Sequence, residues 1–477
     1  MSFSDNWRRA QTLAERTPAR RNRSVDFLRA ASITVVVTGH WLMAAAWLDG
    51  DHLRMGDMLA FAPWTQWLTW TFQVMPLFFM VGGYANGASW QSGRRKGLDY
   101  HLWLSTRLQR LLGPVLPLLL VWILLAVAGN RAGIEPSLIR LGSQAAFIPT
   151  WFLAVYIMVV VTTPLTWRAW RRFGTASFFA LALCAAAIDT VSFSYDLPLL
   201  RWVNYAFVWL AVHQLGYLWR ARRLLGPGQA LLWSAMGLAA LVFLVTAGGY
   251  PVSMITVPGE AISNSRPPSL ALLCLAVFHG GLVISLETPL RRWLKRPLPW
   301  TLTVLVNGRI MTLFLWHITV MILTIGTLNV LGGVGLGIEP DSGLWWTTRP
   351  LWIGLLAVLL LPALALFGRF EQTSRKGAAA SPPAWRSIAG AIAVSGALAT
   401  LALHGIRGEG ITGIRLEIGS LALVGIALVS ILVYYFYGFD GFIERLLQRG
   451  MSHRVEAWTG YWLYMPDAWL LGYGSGT

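Results

Sequence analysis

The chain has 477 residues, of which 56% are hydrophobic and 12% charged, and its mean hydropathy is +0.56. Soluble domains carry about a quarter charged residues, so this composition excludes a soluble globular protein and indicates a polytopic membrane protein. The formal net charge of +17 would suit a nucleic-acid binder, but the arginines cluster in short connections between apolar stretches, as in a membrane protein, and no nucleic-acid partner is expected.

Residues 1–24 are polar and arginine-rich. No short apolar core with a small-residue cleavage site precedes Val25, so they read as a cytoplasmic tail and the first apolar run as a retained anchor. Twelve apolar segments follow, at 25–47, 66–90, 104–129, 147–167, 175–189, 201–219, 229–247, 269–286, 308–329, 345–367, 387–404 and 416–437. Most approach the ~20 residues that cross a hydrocarbon core. The second is interrupted by Pro76, Gly82 and Gly83 and the fifth is short, so each is a candidate broken or partial span.

Basic residues gather in alternate connections, from Arg94-Arg95-Lys96 through Arg291-Arg292 to Arg445 and Arg449. Under the positive-inside rule this predicts twelve crossings with both termini cytoplasmic. The expected fold is an all-α transmembrane bundle of about twelve helices: a core at 25–367, a flexible linker at 368–386, a helix pair at 387–437 and a tail at 438–477. The Pro- and Gly-rich connection 248–268 is the longest on the outer side and suits a substrate mouth. Cys184 and Cys274 lie in apolar segments and fit no metal spacing, so no metal site is expected.

The first segment, VDFLRAASITVVVTGHWLMAAAW, holds the chain's most informative residues, Arg29 and His40. Ionisable groups persist at membrane depth mostly where they line a pathway or a site. Eleven residues make about three helical turns, so both side chains share one face, about 16 Å apart along the axis. Arg29 is placed to snorkel to the cytoplasmic edge and hold a phosphate, and His40 lies deeper. An imidazole there suits proton abstraction from a hydroxyl near neutral pH. Asp26, three residues before Arg29, is expected to orient or neutralise it and is too far along the helix to reach His40. Arg107 and Arg110, one turn apart at a helix start in STRLQRLLGPVLP, share a face that can bind phosphates together with Arg29. Pro114 and Pro117 are expected to bend that helix.

The string RNRSVDFLRAASITVVVTGHWL resembles the opening of the integral-membrane acyltransferase 3 family, which carries a basic residue, ten intervening residues and a His in its first helix. Arg107 and Arg110 match that family's Arg-x-x-Arg. PLFFMVGGYANG, WFLAVYIMVVVTTPL and NGRIMTLFLWHITV follow in family order over about residues 22–370. The resemblance implies an enzyme, an O-acyltransferase that moves an acyl group from cytoplasmic acyl-CoA, with no permanently bound cofactor, to a hydroxyl of an envelope glycan, lipid or other acceptor. It also implies a bacterial inner membrane. General-base catalysis by His40 and a covalent acyl-histidine both remain open at this point.

Three further residues are candidates for a substrate cavity: His317 in LFLWHITV, His213 at membrane depth, and Glu260 in the long outer connection. A twelve-helix secondary transporter is the alternative. Against it, the transporter loop motif G-x-x-x-D-[RK]-x-G-[RK]-[RK] is matched only by its end at 93–95, with Asn86, Trp90 and Gln91 at its other required positions.

Overall fold

The computed structural model describes residues 3–18, 21–50, 52–221, 226–371 and 384–406. The apolar segment 416–437, the tail 438–477 and most of the linker lie outside the described residues. Helix α1 (Phe3–Glu15) precedes α2 (Arg23–Met43), and the chain then turns through a hairpin of β1 (Ala44–Asp49) and β2 (His52–Asp57). Two short helices, α3 (Met58–Phe61) and α4 (Thr65–Phe72), lead to α5 (Met75–Arg95). Then come α6 (Tyr100–Leu112), α7 (Val115–Arg131), α8 (Pro136–Phe173) and α9 (Thr175–Ser194). After a 3-10 turn at Leu200–Val203 follow α10 (Asn204–Ala221), α11 (Pro227–Thr246), α12 (Leu270–Ser285) and α13 (Glu287–Trp293). The remaining described helices are α14 (Pro297–Asn307), α15 (Ile310–Val330), α16 (Gly343–Phe367) and α17 (Ala384–His404).

This is a helical membrane bundle. Among the described residues seven helical stretches are long and apolar enough to span a bilayer, or eight when the pair α12–α13, bent by 57°, counts as one. Helix α2 has the length of a span, but Asp26, Arg29 and His40 dilute its apolar character.

Several sequence expectations are corrected in detail. The tail at 1–24 contains a helix, and Ala10, Leu13 and Ala14 of α1 pack on Trp300, Val304 and Leu305 of α14. The first apolar run does not stay helical to residue 47. It leaves the helix after Met43 and pairs Ala44↔Asp57 through Asp49↔His52, with Gly50 at φ +59 in the tight turn. Ala45 packs there with Met58, Ala62 and Trp345, and the Leu48 N–H donates to the Leu336 carbonyl at 2.7 Å. Asp57 caps α3 by accepting from the Leu59 N–H. Burial raises its carboxyl above the ordinary value, and that hydrogen bond opposes the shift.

The second apolar segment is broken, but at Gln73 and Val74 between α4 and α5, so that Pro76 sits in the first turn of α5, where its missing N–H costs nothing. Gly82 and Gly83 stay helical. Gly83 serves close packing, since a Cβ there would lie 1.8 Å from the His213 carbonyl oxygen of α10. The fifth segment forms the full-length α9, 20 residues long, so it is no partial span. The break between α6 and α7 falls at Gly113 and Pro114, as the prolines predict.

Contacts sort the chain into two compact units. The first is built from Met1–Arg16, Arg20–Ala88 and Thr163–Leu366, the second mainly from Ser89–Thr162 and the described residues from Phe367 onward. Within the second unit α17 is stitched in by hydrogen bonds. Thr150 donates to the Leu398 carbonyl, Ser395 to the Ala154 carbonyl and Gln144 to the Leu403 carbonyl. With the Ser105 and Ser387 hydroxyls 3.1 Å apart, the first helix of the C-terminal pair packs with α6 as well as α8.

Candidate active site

Helix α2 starts at Asn22, whose side chain accepts from the Ser24 N–H. Thr34 and Thr38 return their hydroxyls to the carbonyls of Ala30 and Thr34. Those two threonine hydroxyls of α2 are thus satisfied locally, and the ionisable groups on the helix are Asp26, Arg29 and His40.

Helix α2 packs against α15, and two contacts fix their register. The Trp41 indole N–H donates to the His317 carbonyl at 3.0 Å, and the two imidazoles meet with His40 Nδ1 2.8 Å from His317 Nε2. The rings lie nearly parallel, at 14°. His317 is fully buried, and its Nδ1 lies 2.7 Å from the Phe314 carbonyl oxygen.

A carbonyl oxygen only accepts, so Nδ1 of the neutral His317 carries the proton and its Nε2 is a bare acceptor. His40 must then donate from Nδ1. Its Nε2 keeps a lone pair, and the residue as a whole is half-buried. A chain that begins at a backbone carbonyl therefore fixes the tautomer of the outermost imidazole as a base.

Arg29 is half-buried about three turns from His40 on the same helix. Among the described residues its guanidinium has no hydrogen-bond or ion-pair partner. Asp26 does not supply one. Its carboxylate pairs with Arg21 at 2.8 Å, and its backbone carbonyl accepts from Asn307. The expectation that Asp26 orients Arg29 is thus corrected: the preceding turn brings Arg21 back over the helix start and takes the acid, which leaves Arg29 a free cation.

A polar cluster missed by sequence reading sits at the same helix start. Glu287 Oε1 accepts from the Asn22 side chain at 2.9 Å and Oε2 from the Trp219 indole at 3.0 Å. Glu287 thereby ties α2 and α10 to the bend between α12 and α13. The available signal was an acid beside Thr288-Pro289 at a helix start, in an otherwise basic connection.

The other candidates fall elsewhere. His213 is fully buried in α10, with Nε2 3.2 Å from the Asn86 amide and its ring edge-on to Tyr217. It is buried at the α5–α10 crossing, where Gly83 brings the two backbones into contact. Glu260 is exposed, and Gln66 reaches its Oε1 at 3.5 Å. The connection around it is ordered by Asp189, which accepts from the Tyr250 hydroxyl, the Leu270 N–H and the Asn204 amide. Arg107 and Arg110 are half-buried on α6 in the second unit, with Arg107 5.9 Å from the Trp103 ring centroid.

The family described as Acyltransferase domain, acyltransferase 3, matches residues 22–369. No curated protein and no solved structure matches the chain. The matched range takes in Arg29, both imidazoles and the Glu287 cluster and covers well over half of the sequence, so the chain belongs to the acyltransferase 3 family.

Proposed function

We propose that this acyltransferase takes its acyl group from acyl-CoA and places it on a hydroxyl of an envelope glycan or lipid, with His40 as general base and His317 as the residue that positions it. The observation that carries this reading is the hydrogen-bond chain from the Phe314 carbonyl through His317 to His40, which leaves Nε2 of His40 unprotonated. In the reaction the acceptor hydroxyl gives its proton to that nitrogen as its oxygen forms a bond to the thioester carbonyl carbon. The carbon–sulfur bond then breaks, and the leaving sulfur takes the proton back from His40, which regenerates the base. While His40 is cationic, its Nδ1–H bond to His317 becomes charge-assisted and stronger, so the pair favours the charged stage of the reaction.

The free guanidinium of Arg29 suits a phosphate of the donor. Arg107 and Arg110 are further guanidinium donors on α6, tested separately through the KM for acyl-CoA of the double alanine variant. The membrane is taken to be a bacterial inner membrane because the family resemblance implies it, and the alternating basic connections support cytoplasmic termini. Reporter fusions at each terminus check that orientation.

The decisive experiment uses the full chain in proteoliposomes with radiolabelled acetyl-CoA, reading free thiol release and label transfer. His40→Ala is expected to lose both while inserting normally. Undiminished turnover in that variant overturns the assignment.

A further inference from the structure

The buried face of α16 holds a group of donors that the acyl-transfer chemistry does not use. Trp345, Arg349 and Trp352 recur at helical spacing on one stripe, and Trp345 and Arg349 are 1% and 8% exposed. The Arg349 guanidinium carbon lies 3.5 Å above the Trp345 ring centroid and 5.7 Å from that of Trp352. Its Nε donates to the Trp345 carbonyl at 3.3 Å. Stacking engages the face of the guanidinium and leaves its edge donors directed in the plane. Among the described residues nothing accepts from either Nη, and the indole nitrogens of Trp345 and Trp352 are buried without a partner.

Every unmet group here is a donor and one is a cation, so the absent partner is an acceptor with negative charge. Among the described residues the other deeply buried arginine, Arg201, leaves its Nε without a hydrogen bond but has a protein carboxylate and a carbonyl facing it. Arg201 faces Asp189 at 3.9 Å and donates to the Ser263 carbonyl at 3.0 Å. Helix α16 is also the least covered of the spanning helices, and Leu344, Leu351 and Leu355 beside the stripe are exposed. A ligand with an apolar tail has a lateral route to the donors.

We propose that Trp345, Arg349 and Trp352 form a binding site for a phosphate group, delivered by an anionic membrane amphiphile. The site stands whether or not His40 is the base, because its readout is binding. Membrane-depth arginines are retained for such roles, and a guanidinium edge with two indole N–H groups matches the three acceptor oxygens of a phosphate.

The test uses the full chain in dodecyl maltoside micelles, which contain no phosphate. Phosphatidylglycerol is titrated in and retained lipid is counted by native mass spectrometry, and inorganic phosphate is titrated in parallel by calorimetry. Wild type is expected to retain phosphatidylglycerol about tenfold or more tightly than Arg349→Gln, with Arg349→Lys in between. The double variant Trp345→Phe with Trp352→Phe keeps both rings and the charge and removes only the indole donors. It is expected to weaken retention as well, which keeps the test decisive if Arg349→Gln fails to fold. Arg349-dependent binding of inorganic phosphate with no lipid preference supports the site and assigns it a soluble source. Equal lipid retention and equal phosphate binding by wild type, Arg349→Gln and the double variant overturn it.

Discussion

Four histidines lie at membrane depth in the first unit, and they divide into two kinds. In the pair His40–His317, both Nδ1 atoms are committed, one to the partner ring and one to the Phe314 carbonyl, so one Nε2 is left over on a half-buried residue. In His213 and His279 the commitment is reversed. Nε2 faces the Asn86 amide in one and the Trp70 carbonyl in the other, and Nδ1 is buried without a partner in both. An imidazole at depth thus becomes a candidate base only when the nitrogen left over can be reached. A buried unpaired nitrogen costs stability and meets no substrate.

Substitutions that dismantle the pair should have the largest effects. His40→Ala removes the base, and general-base groups contribute about 10²- to 10⁴-fold, so kcat should fall by that range without loss of membrane insertion. The comparison breaks if kcat survives. His317→Ala keeps the base but frees its tautomer and position, and a misplaced reacting group costs about 10²-fold. Its signature is a lower kcat at nearly constant KM, since His317 is fully buried and acts through His40. Because only the unprotonated His40 accepts a proton, wild-type turnover should also fall toward acid pH. A flat profile between neutral and acid pH would argue against the base.

The sequence made the bundle legible, and within it α2, because hydropathy and the positive-inside alternation are properties of composition. Arg29 and His40 stood out for the same reason, as ionisable residues in an apolar run. The pairing of His40 with His317 was not legible, since 277 residues separate them and His317 alone reads equally well as a packing histidine. The Asp26–Arg21 ion pair was missed because helical spacing favours Arg29, whereas Arg21 lies before the helix and folds back by a turn that periodicity does not encode. The hairpin was missed because Ala44-Ala45-Ala46 has strong helix propensity, which tertiary packing on Trp345 and backbone pairing override. Helix α14 is short and amphipathic on a small scale, so it did not register as an apolar segment.

Arg29 offers a smaller effect that sharpens the division of labour along α2. A charge-assisted hydrogen bond to phosphate contributes about 1.5–3 kcal/mol, so Arg29→Gln should raise the KM for acyl-CoA about tenfold or more and leave kcat nearly intact. Competition by CoA without an acyl group should weaken in parallel. A fall in kcat at unchanged KM would move Arg29 from donor binding to the reacting centre.

The smallest effects are expected at the other two histidines, and they test the comparison most sharply. His279→Gln can keep a donor near the position of Nε2 for the Trp70 carbonyl, and His213→Gln can keep an acceptor for the Asn86 amide. Each also exchanges a ring nitrogen that is buried without a partner for the second polar atom of the amide, so the polar balance is little changed. Turnover per folded molecule should stay within about twofold of wild type, because neither ring carries a nitrogen that a substrate can reach, while thermal stability shifts modestly, as for most single substitutions. If His213→Gln instead abolished turnover as completely as His40→Ala, the Phe314–His317–His40 chain would not be what distinguishes His40 from the other histidines.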